Sequence, residues 1–123
     1  RDVAPSRGLG DVYKDSLSTT ASNHKMIHVI DYLNAHLTDD ITIDFLAEHF
    51  YLSRYHLMHA FKEETGYTIG NYLTTKRLLL ARDQIAQGES ITTACYACGF
   101  HNYSTFSRAY RKHFGCSPRE QRN

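Results

Sequence analysis

Apolar residues recur along most of this chain at intervals of three and four, the spacing that lines one face of an α-helix. Ile27, Ile30, Leu33 and Leu37 mark a helix over residues 24–37, with Asp39 and Asp40 as a loop after it. Thr42 is an N-cap for a short helix from Ile43 to His49, with Phe45 and Leu46 inward. Tyr51 and Leu52 turn the chain, Ser53 caps a helix running to about Thr65, and Gly66 stops it. From Ile69 to Gln87 the apolar positions spread nearly all round. Leu78, Ala81 and Ile85 share one side, and Ile69, Leu73 and Leu80 another. A helix apolar on several sides is buried between two bodies, so this segment reads as a connector. Gly88 ends it, Ser90 caps a short helix from Ile91, Gly99 makes a tight turn, and Asn102 opens a helix that stops at Gly115.

The pattern repeats. With an offset of 49 residues, Asn102 falls on Ser53, Phe106 on Leu57, Ala109 on Ala60, Tyr110 on Phe61, Arg111 on Lys62 and Gly115 on Gly66. Before the turn the offset is 48, because the second turn is one residue longer. Both caps, the apolar anchors and the stop glycine coincide, which predicts two helix-turn-helix units, at about 43–66 and 91–115. The only prolines are Pro5 and Pro118, and β-rich runs are few. The expected fold is therefore all-α, with seven helices in two helix-turn-helix subdomains joined by a long connector helix at about 69–87. Residues 1–22 are rich in Ser, Thr, Gly and Asp and read as a linker or tail, leaving 23–123 as the folded domain.

The second helix of each unit has two faces. With Phe106 set inward, Ala109, Tyr110 and Phe114 fall near it, while Ser104, Ser107, Arg108 and Arg111 cluster opposite. A packed apolar face and a small, polar, basic free face suit a helix lying in the DNA major groove. In the first unit Tyr55, Met58, His59 and Lys62 point to the free face, and His56 points sideways towards Glu63. Met58 could touch a thymine methyl or a partner domain.

Ile91, Gly99-Phe100, Phe106-Ser107-Arg108, Arg111-Lys112, Gly115 and Ser117-Pro118 resemble the C-terminal signature of AraC-type transcription regulators. The resemblance covers roughly residues 43–122. The chain departs from the family at Ala94-Cys95, where a large aliphatic and then Ala are usual, at Tyr110 for a usual Phe, and at Gln121 for a usual Tyr, which weakens the expected packing of the last helical turn. The resemblance implies two recognition helices entering adjacent major-groove segments of double-stranded DNA. Base reading is expected from Arg54, Tyr55, Met58 and His59 in the first helix, and from Tyr103, Ser104, Ser107 and Arg108 in the second. Ser53, Lys62, Asn102, Arg111 and Lys112 are expected at phosphates, which position a protein without specifying sequence.

Charge agrees in its distribution rather than its total. The chain is +1 overall, but residues 1–41 carry four basic and six acidic groups, whereas 102–123 carry five basic and one acidic. Basic charge gathers where phosphate would be met, although a solvated helix face produces the same cluster. Three cysteines are too few for a disulfide scaffold, no apolar run approaches the roughly 20 residues of a membrane span, and no signal peptide is visible. A reduced, cytoplasmic setting is expected, away from membranes. A chain that begins at Arg1 reads as a fragment, with an N-terminal effector or dimerisation domain attached at the tail and the transcription machinery as a further partner.

No catalytic arrangement is present: no GxSxG, HExxH or P-loop occurs, and Gly8-Leu9-Gly10 is too short to cradle phosphate. The chain is not expected to be an enzyme or to need a cofactor. Asn102-Tyr103-Ser104 matches a glycosylation sequon that a cytoplasmic protein does not use. His24 and His28 stand one helical turn apart, but no carboxylate or Cys is placed to complete a metal site. Cys95 and Cys98 form a CxxC inside a helix, with no βαβ context and no second pair, so they are expected in the core. Two readings from other classes stay open: a helical protein-interaction module using the same free faces, and a thiol or zinc sensor using Cys95 and Cys98.

Overall fold

The computed structural model describes residues 24–122, and the expected linker at 1–22 lies outside them. Seven helices and no strand occur among these residues. They are α1 (24–35), α2 (Ile43–His49), α3 (Arg54–Thr65), α4 (Ile69–Ala86), α5 (Ile91–Ala97), α6 (Tyr103–Phe114) and α7 (Pro118–Arg122). The caps are where the sequence puts them. Thr42, Ser53, Ser90 and Asn102 each stand in extended backbone and accept, through their side-chain oxygen, the third amide of the helix they open. Each satisfies a donor that the helix itself leaves unpaired.

Two apolar cores lie along α4. Met26, Val29 and Leu33 of α1 meet Leu46, Ala47, Leu57 and Phe61 of the first unit and Ile69 and Leu73 of α4. The other half of α4 brings Leu78, Ala81 and Ile85 against Ala94, Cys95, Cys98, Phe106 and Tyr110. That division explains the unusual apolar pattern of the connector, whose faces serve different bodies at its two ends. Leu80, expected beside Ile69 and Leu73, packs instead with the second core. It stands two turns further along than Leu73, beyond the reach of the first unit.

Other expectations are corrected. The first helix ends at residue 35 rather than 37, in a turn over 36–38. Arg77 takes the Leu37 carbonyl, and His36 contacts Asp39, so the chain leaves the helix there. Ile27 is 53% exposed and Phe45 is 44% exposed, whereas Met26, Val29 and Ala47 are buried. In α1 the residue one position before Ile27 takes the inward place, and in α2 Ala47, two positions after Phe45, takes it beside Leu46. Phe45 lies over Tyr32 and His49 as part of a surface aromatic cluster.

The repeat extends beyond the two units. Gly66 and Gly115 close α3 and α6 with the same left-handed geometry, φ 82° and ψ 0°. After them Thr68 caps α4, and the Ser117 hydroxyl oxygen accepts from the Glu120 amide at the start of α7. Ile69 and Pro118 are both buried at matching places. The Glu120 carboxylate in turn accepts from the Ser117 amide, which holds its pKa below the usual value, with Arg111 assisting. Upstream, Met26, Val29 and Leu33 match Leu78, Ala81 and Ile85 at an offset of 52. The second half of α4 therefore backs the second unit as α1 backs the first.

Candidate nucleic-acid interface

Helices α3 and α6 are fixed from behind. Leu57 and Phe61 hold α3 in the first core, and Phe106 and Tyr110 hold α6 in the second. Phe106 is braced by Phe100 at 5.1 Å and by Tyr110 at 5.6 Å between ring centroids. Most of the residues expected to read and position DNA remain outward.

On α3, Tyr55, Met58, His59 and Lys62 are exposed. The Tyr55 ring stacks on His59 at 5.4 Å with planes 12° apart. His59 Nε2 also lies 3.5 Å from Glu63, so His59 reaches the carboxylate expected to face His56. Glu63 is four residues, about one helical turn, beyond His59, and seven, about two turns, beyond His56. Tyr55, Met58 and Lys62 line a groove of about 670 Å³ that reaches the start of α4. Arg54 Nε lies 3.2 Å from the Asp44 carboxylate, which ties the base of α3 to α2.

On α6, Ser104, Arg108 and Lys112 are exposed, and Ser107 is half-buried. Tyr103 is half-buried too, against the second core and 6.1 Å from the Phe106 ring. It has a packing role that the sequence did not indicate. Arg111 is outward, 3.8 Å from Glu120. Thr105 is exposed beside this face and was not anticipated, although its angle on the helical wheel places it near Lys112. Ser53 and Asn102 spend their oxygens on capping. The hydroxyl and amide hydrogens they keep can still donate to an anion.

The offset of 49 sets the two faces in register: Tyr55 with Ser104, Met58 with Ser107, His59 with Arg108, and Lys62 with Arg111. The same scaffold thus presents a bulky, partly apolar surface in one unit and a small, cationic one in the other.

Cys95 and Cys98 are wholly buried in the second core, and Cys98 Sγ lies 3.8 Å from Gln84 Oε1. Burial raises the pKa of both thiols, that of Cys98 to about 11 with help from Cys95 nearby. Reactive and metal-binding thiols need the opposite shift. Among the described residues no group of three His, Cys, Asp or Glu is placed to hold a metal ion, and no helix is long and apolar enough to cross a membrane.

A helix-turn-helix domain family matches residues 46–123. The chain is 34% identical over 110 residues to the HTH-type transcriptional activator RhaS of Escherichia coli O139:H28, covering 89% of this chain and 39% of that protein. It therefore spans about two fifths of the length of the curated relatives it matches. Among solved structures it is similar to an AraC-type transcriptional regulator of Chromobacterium violaceum, with a TM-score of 0.73 and 32% identity, covering 84% of this chain and 93% of that one. It is similar also to the DNA-binding domain of the global transcriptional factor AdpA in complex with a target DNA, with a TM-score of 0.74 and 26% identity, covering 79% and 88%. With its two capped units, shared connector and matched outward faces, the chain belongs to the AraC-type helix-turn-helix family of transcription-regulator DNA-binding domains.

Proposed function

We propose that this chain is the sequence-specific double-stranded DNA-binding part of a bacterial transcription regulator, and that α3 and α6 enter successive major-groove segments on one face of the duplex. The carrying observation is the register of the two faces on equivalent units that share one helix. Groove segments on one face recur about every 34 Å, so a single chain can read two without a two-fold partner. Tyr55, Met58 and His59 read with the first helix, and Arg54 supports its base from its place beside Asp44. Ser104, Ser107 and Arg108 read with the second, flanked by Tyr103. Arg108 suits the bidentate contact to guanine, and Met58 suits a thymine methyl. Lys62, Arg111 and Lys112, with the donor hydrogens of Ser53 and Asn102, meet phosphates.

The DNA bound by the AdpA domain supports this reading. The share of RhaS that the chain leaves unmatched fits an N-terminal effector or dimerisation domain on the same polypeptide, working in the cytoplasm alongside the transcription machinery. The work is recognition rather than catalysis. The buried, proton-holding Cys95 and Cys98 speak against a thiol or zinc sensor. Selection of duplexes from a random pool, followed by gel-shift titration, tests the proposal. A defined motif bound well above random sequence is expected, and equal binding of all sequences would contradict it.

A further inference from the structure

The two repeats differ in length at two places, and the structure brings those places together. The stretch from Leu33 to Ile43 is four residues longer than its counterpart from Ile85 to Ile91, and the second turn has one residue, His101, with no counterpart in the first. His101 Nε2 lies 2.7 Å from Oδ1 of Asp40, in the longer loop. Arg77 of α4 holds the same loop. Its Nε donates to the Leu37 carbonyl at 2.7 Å, and its Nη2 donates to the Asp39 carbonyl at 2.8 Å.

The turn of the second unit closes onto the same loop. A Cβ at Gly99 would lie 3.1 Å from Arg77 Nε and 3.2 Å from the Thr38 carbonyl. The equivalent residue of the first turn is Tyr51, with φ 57°, a left-handed value that a side chain can adopt, and it is largely exposed. Gly99 has φ 100°, outside that region, and backbone packed against it. The glycine is needed where the first unit touches the second.

We propose that Arg77, with Gly99 and the Asp40–His101 contact, is a clamp that fixes how the two reading helices are set relative to each other. Arg77 is thus a positioning residue for two-groove recognition. The proposal rests on the DNA-reading function above. The guanidinium fork suits the task because two carbonyls of one loop are held from one side chain on the connector, and lysine cannot reproduce that geometry. The exposed Asp40–His101 contact adds direction more than strength.

Two measurements on the whole chain test this. Residual dipolar couplings of the free protein report whether both units share one orientation. Binding to selected duplexes, with the spacing between the two elements changed by single base pairs, reports what that orientation does. Each added base pair moves an element by roughly 3.4 Å and a tenth of a turn. The wild-type chain should give one alignment tensor and lose affinity steeply, by about tenfold or more, when the spacing changes by one base pair. Arg77→Met should give separate tensors for the two units and a flattened spacing profile, with amide shifts away from the joint unchanged. One shared tensor and an unchanged profile in Arg77→Met would overturn the clamp. If Arg77→Met loses its fold, Arg77→Lys, which keeps the stem and the charge but not the fork, is judged by the same two readings. Should the wild-type chain have no two-element site, the DNA reading falls, and the tensors alone decide the clamp in the same sense.

Discussion

Arg108 and His59 occupy the same place on equivalent helices, yet they offer DNA different chemistry. Arg108 is a permanent cation with a planar pair of donors, and His59 is a ring already stacked on Tyr55 and 3.5 Å from Glu63. Base discrimination should therefore depend more on Arg108. Arg108→Ala should relax sequence preference at one or two base pairs of the second element, by roughly 1–3 kcal/mol, while the fold stays intact. Repeating the duplex selection with the variant checks this, and an unchanged motif bound with unchanged affinity would show that Arg108 does not read bases. The buried cysteines make a second residue-level case. An unfolded Cys98 thiol ionises near 9, whereas the folded one holds its proton to about 11. Raising the pH through that window favours the unfolded chain, so this contribution is present below 9 and lost as pH rises towards 11. The thermal midpoint should fall more steeply over that range in the wild type than in Cys98→Ala. At this scale the sequence identified the outward residues of α6 well, because Phe106 and Tyr110 anchor the wheel firmly. It missed the half-burial of Tyr103, since the wheel says nothing of where the neighbouring Phe100 and Phe106 rings lie.

Among the elements, α4 is what makes the molecule more than two independent modules. Ile69 and Leu73 belong to one core and Leu78, Ala81 and Ile85 to the other, so its helical phase couples them. One added residue advances a helix by about 1.5 Å and 100°. Inserting one Ala near Thr75 should swing one reading helix out of its groove while each unit keeps its own core. Affinity for the selected site should fall towards that of a single reader plus phosphate contacts, and footprinting should show one protected groove segment where the parent shows two. A normally folded insertion variant with the full two-groove footprint would favour flexible tethering over a rigid connector. The caps and stops of these helices were legible because capping is local: Thr42, Ser53, Ser90 and Asn102 act on amides within three residues of themselves. The inward faces of α1 and α2 were less so. Short helices with several apolar residues close together leave the phase undecided until the neighbouring body is in place, and Ile27 lost to its neighbour Met26 and Phe45 to Ala47 two positions on. The longer α1–α2 loop is visible in the sequence, but its landing place against Gly99 and Arg77 is a tertiary fact.

For the molecule as a whole, the concentration of positive charge in its last 22 residues, five basic groups against one acidic, gains a location. Arg108, Arg111 and Lys112 lie on the exposed side of α6, and Lys62 stands at the place on α3 that Arg111 occupies on α6. Binding should weaken as salt rises, with a log–log slope of about −0.9 for each phosphate neutralised, so Lys62→Ala should reduce the magnitude of that slope by about one and leave the preferred sequence unaltered. Gel-shift titrations at several salt concentrations measure it. A changed motif with an unchanged slope would make Lys62 a base reader. The most direct test of the central claim is a hydroxyl-radical footprint of the wild-type chain on its selected duplex, with stoichiometry measured on the same complex. A single copy protecting two segments on one face of the duplex, about ten base pairs apart, is the predicted result. One protected segment per copy, or two segments appearing only when two copies bind, would contradict it.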